Sequence, residues 1–157
     1  MTTDNPLKDW HFLIGKWKGR STEEEEFGGE GFVETMTEYS FVMDGNFIKG
    51  EYEAVRNSVT EHQSFSIMFY DKRNKKILRK SFFTYGFVNN EIEIERTDSL
   101  LRFDIVMEPV PQAFDGLRWR SYIKKISDKE IRTGLESAKS GEDYTSYGET
   151  TMLKVED

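Results

Sequence analysis

One short helical segment opens this chain, and nearly everything after it alternates with a period of two. That order constrains the fold more than any other feature. From Trp17 onward, apolar and polar residues trade places in runs broken only by short turn signals. An uninterrupted meander of strands leaves two raw edges unless it curls round and closes on itself. A lone turn or two of helix cannot stand by itself and must cap something. Together these predict an all-β, antiparallel up-and-down barrel of about ten strands, with the helix as its plug. The interior is then the natural site.

The helix is expected from Asn5-Pro6, a capping residue followed by proline at the first helical position. Leu7, Trp10, His11 and Ile14 recur on one face, and Gly15 ends the segment. Strands are predicted over 17–26, fading into Glu23-Glu24-Glu25-Glu26, then 32–43, 46–56, 61–70 and 76–85. The turns between them are Phe27-Gly28-Gly29-Glu30-Gly31, Asp44-Gly45, Asn57-Ser58 and the basic run Lys72-Arg73-Asn74-Lys75-Lys76. Val88-Asn89-Asn90-Glu91 reads as a further turn, after which Ile92 and Ile94 alternate with glutamates. Strands at 100–107, 117–126, 129–138 and 143–155 complete the count, with an irregular stretch from Glu108 to Gly116 whose prolines exclude a central strand.

Length and charge narrow the function. The 157 residues suit one domain, 1–157, large enough to bury a real core. Aromatic residues make up 14%, which favours pleated surfaces. The net charge of −7 gives no basic face for nucleic acid. The basic run at 72–76 reads as a solvated hairpin loop. With no cysteine there is no disulfide and no thiolate chemistry. His11 and His62 lack metal-ligand spacing, so no metal site is expected. No leader or apolar span of roughly 20 residues is visible, so no membrane insertion is expected and a cytoplasmic protein is. A homodimer stays open.

The segment Ile14-Gly15-Lys16-Trp17-Lys18-Gly19 after a helix resembles the Gly-x-Trp opening of lipocalins, fatty-acid-binding proteins and nitrobindin-like barrels, the calycin group. The hairpin Arg118–Glu130, the turn Lys139–Thr145 and Phe69-Tyr70-Asp71 before the basic turn are similar to uncharacterised prokaryotic lipocalin-like proteins. The resemblance implies a calycin barrel. Nitrobindin-like barrels hold heme through a histidine near the C-terminal strand. This chain has none after His62, and only Tyr147 or Met152 offers an iron ligand there. Fatty-acid-binding proteins fix a carboxylate with Arg-x-Tyr on their last strand. Arg120-Ser121-Tyr122 has that spelling, although two more strands follow it here.

The leading expectation is a barrel binding a small, mainly hydrophobic ligand, fatty-acid-like or an aromatic acid, with no cofactor. Tyr52, Phe65, Phe83, Tyr85, Phe103 and Trp119 would supply contact area, and Arg79, Arg120 or Tyr122 would orient a polar end. Trp17 belongs with them, although as a large aromatic near the floor it also reads as a closing plug. Phe65, Ile67 and Phe69 form the apolar phase of their strand. Arg79 either enters a ring of aromatics or points outward to a surface glutamate. Glu34 and Glu51 are candidate buried partners for Arg120. The alternative is an enzyme on the same scaffold (isomerase, cyclase or decarboxylase of an apolar acid), with His62 or a glutamate as base.

Overall fold

The computed structural model describes residues 5–21 and 33–156. Ten strands follow an N-terminal 3₁₀ helix at Pro6–Leu13. They are β1 (Gly15–Ser21), β2 (Val33–Val42), β3 (Phe47–Arg56), β4 (Val59–Asp71) and β5 (Lys76–Phe83). The second half comprises β6 (Val88–Arg96), β7 (Leu100–Glu108), β8 (Leu117–Ser127), β9 (Glu130–Lys139) and β10 (Thr145–Lys154). Each pairs antiparallel with its sequence neighbours, and β1 also pairs with β10, closing the barrel. The acidic run and the glycine turn predicted over 22–31 lie outside the described residues.

The plug is a 3₁₀ helix rather than an α-helix, and its sequence explains why it packs. Leu7, Trp10 and Leu13 are spaced by three, the repeat that stacks side chains along one line of a 3₁₀ helix, and all three are fully buried. Asn5 caps the start, its side chain accepting from the Leu7 N–H at 3.0 Å. Trp17 then donates its indole N–H to the Leu13 carbonyl at 2.7 Å, tying plug to first strand. His11 lies beside this line, edge-on to Phe41.

Beneath the plug, the floor of the barrel is solid. Ile48, Met68, Ile77, Leu101, Phe103, Ile123, Ile131 and Met152 join the plug residues and Trp17 in one apolar cluster. Basic loop 72–75 is an ordinary hairpin turn at this end, its backbone held by the Asp71 carboxylate.

Two elements depart from the sequence expectation. The turn predicted at Val88–Glu91 is the first part of β6, and the chain reverses earlier, around Gly86 at φ 86°. Strand β6 is also inverted. Glu91 and Glu93 are buried, whereas Ile92 and Ile94 stand 43% and 38% exposed.

Candidate ligand-binding cavity

The strands that form the floor also form a hollow, because their inward side chains shrink towards the other end. Along β3, inward Ile48 is followed by Gly50; along β4, Met68 by Ser66 and Ser64; along β8, Ile123 by Ser121. Strand β9 goes from Ile131 to Thr133, and β10 from Met152 to Thr150. Large residues fill the barrel axis and small ones leave it open. The result is a cavity of about 640 Å³ above the floor. Gly50 shows how closely its wall is drawn: a Cβ there would stand 2.6 Å from Ser66 Oγ and 3.0 Å from the Tyr39 ring.

At the base of the cavity sits a buried ion pair. Arg79 on β5 faces Glu91 on β6 directly across the ladder. Its Nε and Nη2 donate to the two carboxylate oxygens at 2.8 and 2.6 Å. Ser81 and Ser121 also donate to Glu91, at 2.8 and 2.6 Å, and Ser121 accepts from Arg79 Nη2 at 3.1 Å. Beneath the pair, Phe103 lies 4.8 Å from the guanidinium carbon. Burial alone would push the Glu91 carboxyl up, but the Arg79 charge and the bonds from Arg79, Ser121 and Ser81 outweigh it and leave the group below the usual carboxylate range. For Arg79, burial opposes the charge, and Glu91 more than restores it. Tyr39 beside them is raised chiefly by burial. The pair is therefore ionised and internally neutral.

Above this layer the wall carries polar atoms that lack partners. Asn89 on β6 and Trp119 on β8 are 6% and 5% exposed. Asn89 Oδ1 and Trp119 Nε1 make no hydrogen bond among the described residues. The mouth is aromatic. His62 lies nearly parallel to Phe83 and Tyr85, with centroids 5.5 and 5.0 Å away, and Phe83 stacks in turn on Phe87. Burial lowers the His62 imidazole from its ordinary 6.5, which favours its neutral form. Further rings come from Phe114 and Tyr147, both edge-on to Trp119.

The structure divides the ten residues singled out in the sequence. Tyr52, Arg79, Phe83, Tyr85 and Trp119 line the cavity. Trp17 and Phe103 are buried in the floor cluster below it. Tyr122 is also among the lining residues, although its hydroxyl donates to half-exposed Glu149 and its ring crosses Gly134, while its neighbours Ser121 and Ile123 are buried. Burial, followed by that bond, pushes the Tyr122 phenol well above its usual range.

Phe65 and Arg120 are on the outside. The apolar phase of β4 faces outward and the His62-Ser64-Ser66-Met68 phase faces in, because Met68 completes the floor and the serines leave the hollow. Phe65 packs instead beside Phe82 on the outer surface. On β8, Trp119, Ser121 and Ile123 take the inner positions, so Arg120 turns out to Asp104 at 2.9 Å and over the Tyr144 ring. The arginine of the Arg-x-Tyr spelling therefore points away from the cavity. Glu34 and Glu51 are exposed as well, Glu51 facing Lys49 at 3.3 Å.

Ser81 shares the inward phase with Arg79, Phe83 and Tyr85, as its strand pattern suggests, whereas Glu91, Asn89 and Ser121 were not read as site residues. The Val88–Glu91 turn hid Glu91 and Asn89. Moving the reversal back to Gly86 sets Arg79 opposite Glu91 in an antiparallel hairpin, and that charge pair was the available signal.

These features define a closed ten-stranded antiparallel barrel with a plugged floor and a lined hollow. No protein-family model and no curated protein matches the chain. Among solved structures, the fold is similar to that of Rv2717c from M. tuberculosis, with a TM-score of 0.68 at 12% sequence identity, covering 96% of this chain and 97% of that one. A looser likeness, TM-score 0.39 at 13% identity over 94% and 97% of the two chains, is to EF1p2_mFAP2b bound to DFHBI. Among the described residues, no helix is long and apolar enough to cross a membrane, and no cluster of three or more His, Cys, Asp or Glu side chains is arranged to hold a metal ion.

Proposed function

We propose that this protein is a calycin-like binding barrel whose cavity takes one small, mainly apolar molecule. The observation that carries the reading is the inward change from large to small side chains on successive strands, which leaves about 640 Å³ lined by aromatic rings and a few polar groups. Space of that kind costs stability, because a packed interior would bury more apolar surface. Occupation by a ligand recovers the lost contacts.

The buried charges favour binding over catalysis. Glu91 accepts four hydrogen bonds and is held ionised, so it braces the wall instead of taking a proton. The resemblance to heme-holding barrels is poorly served. No histidine occurs after His62, Met152 is packed in the floor with its sulfur 4.0 Å from Thr37 Oγ1, and Tyr147 packs edge-on to Trp119.

Native mass spectrometry of freshly purified protein, with titration of the neutral fluorescent probe N-phenyl-1-naphthylamine, tests the reading. One retained small molecule, or saturable one-to-one probe binding, is expected. A bare mass together with no saturable binding at micromolar probe would contradict it.

A further inference from the structure

The geometry points to a narrower ligand class: an uncharged, planar molecule that carries both a hydrogen-bond donor and an acceptor, as a lactam or a heteroaromatic amide does. This rests on the cavity being the binding site. Three features of the wall carry it.

The first is charge. Arg79 is the cation at the base of the cavity, and Glu91 already takes two of its donor atoms and sits opposite it. A ligand carboxylate approaching Arg79 would meet the Glu91 charge as well, with only Nη1 left free of bonds among the described residues. The other acid in the lining, Glu61, is bound to Arg56 at 2.7 Å, and the chain carries −7 overall. Nothing here favours an anion.

The second is the unpartnered atoms of the lining, of which His62 Nδ1 lies at the mouth and two others lie deeper. Asn89 Oδ1 is an acceptor and Trp119 Nε1 a donor, both on residues more than nine-tenths buried. They sit one inward step above Glu91 and Ser121 on β6 and β8, the two strands that flank β7. Water can serve both atoms in an empty barrel. A ligand that displaces the water must replace both bonds, and a hydrocarbon chain replaces neither. A molecule that carries both an N–H and a carbonyl offers a partner for each.

The third is shape. The mouth is built of rings, with His62 nearly parallel to Phe83 and Tyr85 on one side and the Phe114-Trp119-Tyr147 set on the other. Flat aromatic walls suit a flat ligand.

The test uses the intact protein loaded with N-phenyl-1-naphthylamine and two competitors of similar size, 2-quinolinone (a neutral lactam) and 2-naphthoate (an anion). Quinolinone should displace the probe at a concentration about tenfold lower than naphthoate. Asn89→Leu and Trp119→Phe should each weaken quinolinone about tenfold in direct titration, with the far-UV circular dichroism spectrum and the urea midpoint verifying folding. Should either variant fail to fold, the wild-type ratio of the two competitors decides. Equal or better displacement by naphthoate overturns the inference, as does wild-type quinolinone affinity in both variants. Failure of the probe itself to bind is a different result and removes the cavity reading beneath it.

Discussion

The two halves of this barrel are made by the same strands and do opposite things. Towards the plug, inward positions hold Trp17, Ile48, Met68, Ile77, Leu101 and Ile123, and the axis is filled. One or two inward steps further, the same strands present Gly50, Ser66, Ser81 and Ser121, and the axis is empty but for a neutralised ion pair. Stability is concentrated in the first half. The second half gives some of it up for a lined space. The boundary is the layer where Arg79 rests over Phe103, the last aromatic of the floor beneath the first charge of the cavity.

Breaking the floor should have the largest effect. Trp17→Ala removes a fully buried indole and its bond to Leu13, and should lower the free energy of unfolding by about 3–5 kcal/mol in urea titrations. A loss under about 1 kcal/mol would mean that the plug end does not hold the barrel together.

The boundary layer sharpens the contrast because its cost depends on symmetry. Glu91→Ala alone strands a buried guanidinium and should cost about 3 kcal/mol. The double variant Arg79→Met/Glu91→Leu removes both charges and should recover most of that loss. A double variant as unstable as the single would show that the ion pair holds the wall in a way apolar packing cannot replace.

Acid should weaken the mouth before it touches the base. Burial favours the neutral form of His62, so its folded-state pKa lies below the ordinary 6.5. Between those values the unfolded chain binds more protons, and stability present above pH 6.5 is lost as the pH falls through that window. Glu91, held below the usual carboxylate range, loses its contribution only at still lower pH. The urea midpoint should therefore drop between about pH 7.5 and about pH 5.5, and His62→Phe should shrink the drop. An unchanged drop in that variant would place the acid-sensitive group elsewhere.

The smallest effect belongs to the outer face. Arg120→Ala breaks a half-exposed pair with Asp104, so it should change stability by less than about 1 kcal/mol and leave probe affinity alone.

Where strands alternate apolar-in and polar-out, the sequence showed both the strand and its facing. Strand β2 is the clear case: of the phase Val33, Thr35, Thr37, Tyr39, Phe41 and Met43, the first four are buried as expected, and Phe41 and Met43, at and beyond the strand's end, are exposed. The cavity itself was harder to read, because a hollow needs the opposite pattern. Ser64 and Ser66 face inward while Phe65 faces out, and β6 buries Glu91 and Glu93 beneath exposed Ile92 and Ile94. Hydrophobicity assigns such strands the wrong way round, since it reports where apolar groups would prefer to be and not where the barrel leaves room. Asn89-Asn90 added to the difficulty by imitating a turn.

The central claim is that the small-residue half encloses a binding space on the inner face. Equilibrium titration of N-phenyl-1-naphthylamine against wild type, Ser64→Phe and Phe65→Ala tests it with adjacent residues of one strand. The account predicts that Ser64→Phe, which fills the hollow, abolishes saturable binding, and that Phe65→Ala on the outer surface leaves it unchanged. Binding that survives in Ser64→Phe and disappears in Phe65→Ala would contradict it and place the probe on the outside of the barrel.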